Sequence, residues 1–177
     1  MRDMDFEAIR DGALLGMADG PVTPGYDADA PAVVAVLNAL LATAAVDWLR
    51  YWQHATVVAG PTRGHLARCF AEYATAELGH VTSLAARIGE LGGVPDLDPE
   101  HLEMHSHTAY RTYPGTDMTG MLRENLLAAR IVIDVCRETI RWLDSADSTT
   151  RRLVETILEC QESHAGNLRD LLAPSAG

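Results

Sequence analysis

The stretch ELGHVTSLAARIGELGGVP, residues 77–95, carries the pattern that decides the fold. Its apolar residues recur every three or four positions, which is the spacing of the buried face of an α-helix. The sequence GGVP at 92–95 ends that helix, because glycine readily forms a left-handed C-cap and proline cannot continue a helix. Glu77 and His80 are three residues apart and so share one face. The stretch therefore predicts a long helix with a carboxylate and an imidazole on its apolar seam.

Three other stretches of the chain have the same helical spacing. Start and stop residues predict four long helices at 29–60, 62–92, 116–145 and 148–174. The connection from Gly93 to Gly115 is long and contains a possible short helix at Glu100–His107. Because such a connection inside a compact bundle joins parallel helices, we predict an all-α four-helix bundle of two antiparallel hairpins and one crossover. The bundle covers 29–174, and residues 1–28 form an N-terminal arm.

The composition excludes several classes of function. The 177 residues include 25 acids and 14 bases, for a net charge of −11, and every base is arginine. Without lysine there is no Schiff-base chemistry and no Walker lysine. An acidic surface repels phosphate backbones and anionic lipid, so we expect neither nucleic acid nor membrane as a partner. The polar N-terminus, the lack of an apolar run of membrane-spanning length and three cysteines without a CxxC motif predict a reduced cytoplasmic protein.

A second polar pair lies on the fourth predicted helix, where Gln161 and His164 repeat the spacing of Glu77 and His80. Both pairs lie near mid-helix, so the four side chains are expected to converge inside the bundle. A buried ionised glutamate costs several kcal/mol unless it is paired or bound to a metal or ligand. A closed hydrogen-bonded cluster without function remains open, but two symmetrical pairs favour a functional site.

Over nearly its whole length the chain resembles the ferritin-like superfamily, specifically the bacterioferritin and Dps-like ferritins. The resemblance is carried by LNALLATAAVDWLRYWQH at 37–54, by ELGHVTSLAARIGELGGVPDLDP at 77–99, by ENLLAAR at 124–130 and by STTRRLVETILECQESHAGNLRDLL at 148–172. It implies a di-iron ferroxidase centre with one glutamate from each of the first and third long helices. The second and fourth would each supply a Glu-x-x-His pair.

Only half of that implied ligand set is present. Matched to the family pattern, Glu77, His80 and His164 are kept, whereas Ala44, Ala129 and Gln161 stand where the pattern has glutamate. Two Fe(II) ions bring four positive charges, and one carboxylate leaves three of them uncompensated in a low-dielectric core. We therefore expect no conventional ferroxidase activity. Leu78, rather than methionine, follows Glu77, so the inter-subunit haem of some relatives is not expected either.

The first hypothesis for the altered site is a small-molecule pocket of a biosynthetic-type enzyme without a cofactor. Loss of the carboxylates and metals would leave a cavity at mid-bundle, and a partly apolar cavity with a few polar groups is typical of a ligand site. Glu77, His80 and His164 would perform acid–base chemistry beside Gln161, as in a cyclisation, dehydration or isomerisation. The expected substrate-binding residues are Ala44, Asp47, Trp48, Tyr51, Tyr73, Asn125, Ala129 and Cys136.

Two alternatives remain. Glu77, His80 and His164 are a two-histidine, one-carboxylate set that suits one Fe(II), or Zn(II) with Gln161 as a fourth ligand. The other alternative is a non-catalytic iron-storage shell subunit, in which Trp48 fills the space at mid-bundle. The resemblance implies a homo-oligomer, either a dimer or a larger cage. Cys69 and Cys160 are interpreted as packing residues.

Overall fold

The structure is a computed structural model that describes residues 4–60 and 63–173. In order along the chain, its helices are α1 (Phe6–Leu14), α2 (Ala30–Val57), α3 (Arg63–Glu90), α4 (Pro99–His105), α5 (Met118–Leu143) and α6 (Ser148–Leu172), with a short 3₁₀ turn at Met17–Asp19. The prediction of an all-helical bundle is confirmed, and the described residues contain no strand. The predicted helix ends at Pro61, Thr62 and Pro174 lie outside the described residues.

Aspartates cap three of the long helices, α2, α5 and α6, at their first turns. Asp29, Asp117 and Asp147 accept hydrogen bonds from backbone N–H groups of α2, α5 and α6 respectively. A side-chain acceptor at this position satisfies one of the orphan donors at a helix start. Beyond the end of α3, Gly92 has φ of +77°, a left-handed conformation that glycine adopts at little cost. Local chemistry in the sequence therefore fixes these helix ends.

The helices pack as two hairpins, α2 with α3 and α5 with α6, and α4 in the crossover lies against α2. Two apolar clusters fill the interior on either side of mid-bundle. One is centred on residues such as Leu37, Leu84 and Val154, and the other on Phe70, Met121 and Leu168. The polar pairs of α3 and α6 lie between these clusters, so any site is enclosed by apolar packing at both ends.

Among the described residues of the N-terminal arm, those of its second half pack against the bundle. The helix α1 has no buried residue, whereas Val22 and Tyr26 pack against the core. The Tyr26 hydroxyl donates to Asp147 Oδ2 at 2.7 Å, and the Arg87 guanidinium contacts both Asp147 oxygens at 3.1 Å. Burial raises the pKa of Asp147, but hydrogen bonds from Thr150 and these two partners outweigh it and lower the value to about 2.

The helix α2 is long and apolar enough to cross a membrane by length and composition, with a mean hydropathy of 1.9 over its most apolar window. The expectation that no apolar run reaches this length was therefore wrong. Thirteen of its 28 residues are buried in the bundle, including Asp47, Arg50 and His54. A helix that buries both its apolar face and these polar side chains against neighbouring helices has the character of a core helix.

Candidate functional site

Glu77 lies at the centre of the bundle and is 1% exposed. Gln161 Nε2 donates to its Oε1 atom at 2.6 Å, and His80 Nδ1 lies 3.0 Å from Oε2. His164 Nδ1 is 3.8 Å from Oε1. The side chains of the two polar pairs therefore meet inside the bundle, as their helical spacing predicts. The other three side chains surround the Glu77 carboxylate.

The histidine beside this carboxylate supplies its counter-charge. Burial by itself lowers the pKa of His80, but hydrogen bonds and charge interactions with Cys160 and Glu77 outweigh it and raise the value to about 9. At neutral pH His80 is therefore an imidazolium, which donates from Nδ1 to Glu77. One imidazolium balances the charge of one buried carboxylate.

Two of the predicted pocket residues, Tyr51 and Tyr73, have their rings close to the ring of His164. The rings of Tyr73 and His164 are 3.9 Å apart between centroids, and Tyr51 meets Tyr73 edge to face at 5.4 Å. Both tyrosine hydroxyls are buried without a hydrogen-bond partner. Burial raises the pKa of both phenols, so each remains neutral. Trp48 is half-buried in the same apolar cluster.

The cavity beside Glu77 has a volume of about 10 Å³, which is room for one water molecule. Of the predicted site residues, Ala44, Asp47 and Glu77 line this cavity. The remaining lining residues are Leu40, Thr43, Leu84, Val132 and Ile157. The predicted residues that do not line it are Trp48, Tyr51, Tyr73, His80, Asn125, Ala129, Cys136, Gln161 and His164. A substrate pocket here stays a prediction that requires the bundle to open.

A second buried polar network, which the sequence analysis missed, runs between α2 and α5. Arg50 is completely buried, and its Nη2 atom lies 2.7 Å from Asp47 Oδ1. Arg50 Nε donates to Asn125 Oδ1 at 3.0 Å, and Asn125 Nδ2 lies 3.0 Å from His54 Nδ1. Burial raises the pKa of Asp47 to about 6, against the opposing charge of Arg50. Asp47 and Asn125 therefore belong to a structural network.

This network ties the crossover to α2. Arg50 Nη1 donates to the carbonyl of Ala109 at 2.9 Å, and His54 Nε2 donates to that of Arg111 at 3.1 Å. The Thr108 hydroxyl donates to Asp47. The sequence signal is a polar row at residues 43, 47, 50 and 54 of a mostly apolar helix. This spacing places the row on one helix face.

We expect protonation of His54 to destabilise the fold. Its Nδ1 accepts from Asn125 and its Nε2 donates, which requires the neutral ring, and burial lowers its pKa to about 4 from an ordinary 6.5. Below pH 6.5 His54 binds a proton in the unfolded chain but stays neutral in the folded chain. The free energy of unfolding therefore falls as the pH drops from 6.5 to 4. Over this pH range the contribution of His54 changes the free energy of unfolding by about 3 kcal/mol.

Urea unfolding of the wild type and His54→Gln across this pH range measures the effect. The variant removes the contribution of His54 to the slope of stability against pH, whereas His65→Gln, on an exposed histidine, leaves that slope unchanged. The slopes of the two variants are compared because the wild-type slope also contains a contribution from Asp47. Asp47 titrates in the same pH range, and its contribution to stability has the opposite sign. Equal slopes in wild type and His54→Gln contradict the prediction.

The cysteines differ from what the sequence predicts in one case. Cys136 is fully buried in the apolar core, and burial raises its pKa to about 12. It does not line the cavity, and its role in substrate binding stays a prediction. Cys69 is half-buried, and burial raises its pKa as well. Cys160, interpreted as packing, instead places Sγ 3.5 Å from His164 Nε2.

Three of the positions that the family pattern assigns to di-iron ligands hold no carboxylate. Ala44 and Ala129 have no ligand atoms, and Gln161 donates its amide to Glu77. Asp47, the other carboxylate at the cavity, is paired with Arg50. Among residues 4–60 and 63–173, no group of three or more His, Cys, Asp or Glu side chains has an arrangement that could hold a metal ion. The mononuclear site of Glu77, His80 and His164 remains a prediction.

The bundle, the crossover and the paired polar residues of α3 and α6 together define a ferritin-like protein. Residues 34–174 match the family described as Ferritin-like domain. The chain therefore belongs to the ferritin-like family.

Its relatives are of the Dps and bacterioferritin type. A Nutrient stress-induced DNA-binding protein of a Synechococcus species is 30% identical over 141 residues, which are 79% of this chain and 80% of that protein. A solved structure described as a dodecameric thioferritin, the bacterioferritin-related protein from Bacteroides fragilis, is 31% identical. It has a TM-score of 0.79 over 82% of this chain and 87% of its own. Dps from Thermosynechococcus elongatus, at 22% identity and a TM-score of 0.79 over 83% and 94%, supports the fold alone.

Proposed function

We propose that this protein is a non-ferroxidase subunit of a homo-oligomeric ferritin-like shell. The observation that carries the proposal is the state of Glu77, whose two oxygens already accept from Gln161 and His80. His80 supplies the positive charge that metal would otherwise bring. Ala44 and Ala129 stand at two other ligand positions, and the cavity that Ala44 lines has a volume of only about 10 Å³. Both oxygens of Glu77 therefore have partners within the chain, and the proposal needs no bound ion to balance the carboxylate.

The assembly part of the proposal rests on the relatives. The thioferritin from Bacteroides fragilis is described as dodecameric, and this chain shares its fold over most of both lengths. Other relatives are named as DNA-binding. This chain has a net charge of −11 and no lysine, so its electrostatic attraction to a phosphate backbone is weak. We therefore propose a shell of identical subunits with no nucleic-acid partner.

The test is iron binding and oxidation by purified protein, beginning from Fe(II) under anaerobic conditions. We expect far fewer than two irons per chain at the bundle centre, and oxidation on air exposure no faster than in buffer. Light scattering of the same sample is expected to give a mass larger than one chain. Glu77→Gln is the matched control, because it removes central binding and leaves adventitious surface iron unchanged.

Two outcomes contradict the proposal. The first is saturable uptake of two irons per chain that disappears in Glu77→Gln and is accompanied by a fast oxidation phase. The second is a protein that is monomeric at all concentrations. This result contradicts the proposed shell but not the proposed lack of a ferroxidase centre. The two measurements therefore fail separately.

A proton-transfer enzyme is the second candidate function. Two atoms favour it: His164 Nδ1 and Gln161 Oε1 are buried without hydrogen-bond partners, and both belong to residues that face Glu77. Such unsatisfied atoms are uncommon and mark a place where a ligand or water can bind. The cavity of about 10 Å³ admits no organic substrate as it stands. Calorimetric titration with phenol distinguishes the candidates, since binding that is lost in Glu77→Gln requires an opened pocket.

A further inference from the structure

An open groove lies between the beginning of α3 and the end of α6. Its volume is about 550 Å³, within the range of about 300–1,000 Å³ that is usual for the sites of small organic ligands. Its lining residues include Arg68, Cys69, Glu72 and Tyr73 on α3 and Leu171 on α6. The polar cluster at the bundle centre is separate from it, since none of the four residues of that cluster is among the described residues that line the groove.

The hydroxyl of Tyr73 is the first indication of a ligand in this groove. Tyr73 is 6% exposed, and its hydroxyl oxygen is buried without a hydrogen-bond partner among the described residues. The side chains of Cys69 and Asn167 lie near this oxygen, and both also line the groove. An unpaired buried hydroxyl is costly. Because Asn167 is exposed, rotation of its side chain opens the hydroxyl to the groove.

Two opposite charges on α3 are the second indication. Arg68 and Glu72 are one helical turn apart, and both line the groove. Residues at this spacing share a helix face and commonly pair, yet neither has an ion pair within residues 4–60 and 63–173. Asp170, on the α6 side, is paired with Arg169. The α3 wall therefore presents one positive and one negative charge to an occupant of the groove.

The position of the Tyr73 hydroxyl relates it to the positive charge. Long side chains of a helix point back toward its N-terminus, so the phenol of Tyr73 extends over the preceding turn, where Cys69 lies beside Arg68 in the sequence. A guanidinium and a phenol hydroxyl both donate hydrogen bonds to a carboxylate. The end of the groove near Arg68 therefore suits a carboxylate, and the end near Glu72 suits a cation.

We propose that the groove binds a free α-amino acid with an apolar side chain. Arg68 and the Tyr73 hydroxyl donate to its carboxylate, and Glu72 accepts from its ammonium group. A free α-amino acid has both charged groups on one carbon, which matches two charges that are one helical turn apart. Leu171 and the ring of Tyr73 give its side chain an apolar wall. The proposed function leaves this groove without a role.

The experiment uses the intact protein with L-phenylalanine as the probe, and saturation-transfer difference NMR measures binding. This method observes the ligand and therefore suits a large assembly. We expect saturable binding with a Kd of about 1 mM, because an open groove gives a ligand of this size little affinity. Glycine has both charges but no side chain, and we expect it to bind at least about tenfold more weakly.

Two variants and two analogues assign the charges. Arg68→Gln is expected to weaken the binding of L-phenylalanine about threefold to fivefold and to leave that of L-phenylalaninamide, which has no carboxylate, unchanged. Glu72→Gln is expected to weaken L-phenylalanine by a similar factor and to leave N-acetyl-L-phenylalanine, which has no ammonium group, unchanged. Both residues are exposed, so both variants are expected to fold. Arg141→Gln, an exposed arginine outside the groove, is the matched control.

Tyr73→Phe separates ligand binding from packing. Loss of an unpaired buried hydroxyl is expected to raise the urea midpoint of unfolding, while binding of L-phenylalanine weakens about threefold to tenfold. A tyrosine that only packs gives the first result without the second. No saturable binding of L-phenylalanine at about ten times the expected Kd overturns the proposal, as does an affinity that is the same in wild type and in all three groove variants. Neither result changes the iron and mass measurements that test the proposed function.

Discussion

Replacing Arg50 with methionine is expected to lower the free energy of unfolding by about 3–5 kcal/mol at pH 7.5. The guanidinium is fully buried and pairs with Asp47, which is 1% exposed. Methionine fills much of the same volume but leaves the carboxylate without its cation. It also leaves the Ala109 carbonyl and the Asn125 side-chain oxygen without the donors that Arg50 supplies. An unpaired buried charge of this kind is among the largest effects a single substitution produces.

The pH dependence of this loss identifies its cause. Burial already raises the pKa of Asp47 to about 6, and removal of Arg50 raises it further. A protonated Asp47 needs no cation, so the destabilisation at pH 5 is smaller than at pH 7.5. A loss that came only from packing has the same size at both values. Urea unfolding at the two pH values makes the comparison.

Two controls complete the experiment. The double variant Asp47→Leu, Arg50→Met removes both charges and is expected to recover at least 1 kcal/mol of the loss. Arg141→Met breaks the exposed pair of Arg141 with Glu138 and changes stability by less than about 1 kcal/mol. If Arg50→Met costs no more than Arg141→Met, the buried network does not hold the crossover to α2.

The sequence predicts the polar centre well because helical spacing alone determines which face a residue occupies. Glu77 and His80 share a face of α3, Gln161 and His164 share one of α6, and their side chains meet in the bundle. The family pattern alone was likewise enough to show that Ala44 stands where the pattern has glutamate. Sequence reasoning is reliable here because the relevant distances are set by one helix or by two helices of known pairing.

Helical spacing did not predict the network of Arg50 and His54, because residues of the crossover complete that network. Arg50 and His54 are too polar for a core by residue type, and they are buried because carbonyls of the crossover accept their hydrogen bonds. The backbone path of residues 106–111 cannot be derived from periodicity. The size of the cavity beside Glu77 could not be predicted from the sequence either, because it depends on how closely Leu84, Val132 and Ile157 pack. For Cys160 a signal existed, since His164 follows it at i+4.

Glu77→Gln is expected to lower the pKa of His80 by about two units from its value of about 9. The substitution keeps the shape of the side chain and an acceptor for Gln161, but it removes the negative charge 3.0 Å from His80 Nδ1. Burial then opposes the imidazolium with only the Cys160 interaction left to support it. An opposite charge at this distance shifts a pKa by about 1–3 units. Titration of the imidazole Cε1–H resonances by NMR, assigned with His80→Gln, measures the change.

Comparison with two further variants assigns that shift to the carboxylate. Cys160→Ser removes the thiol and lowers the His80 pKa by a separate amount, so the double variant with Glu77→Gln shows whether the two contributions add. Glu138→Gln removes an exposed carboxylate and leaves His80 unchanged. If the His80 pKa is the same in Glu77→Gln and wild type, then the charge of Glu77 is not balanced by His80. In that case the bundle centre requires another cation, and a bound metal becomes the stronger explanation.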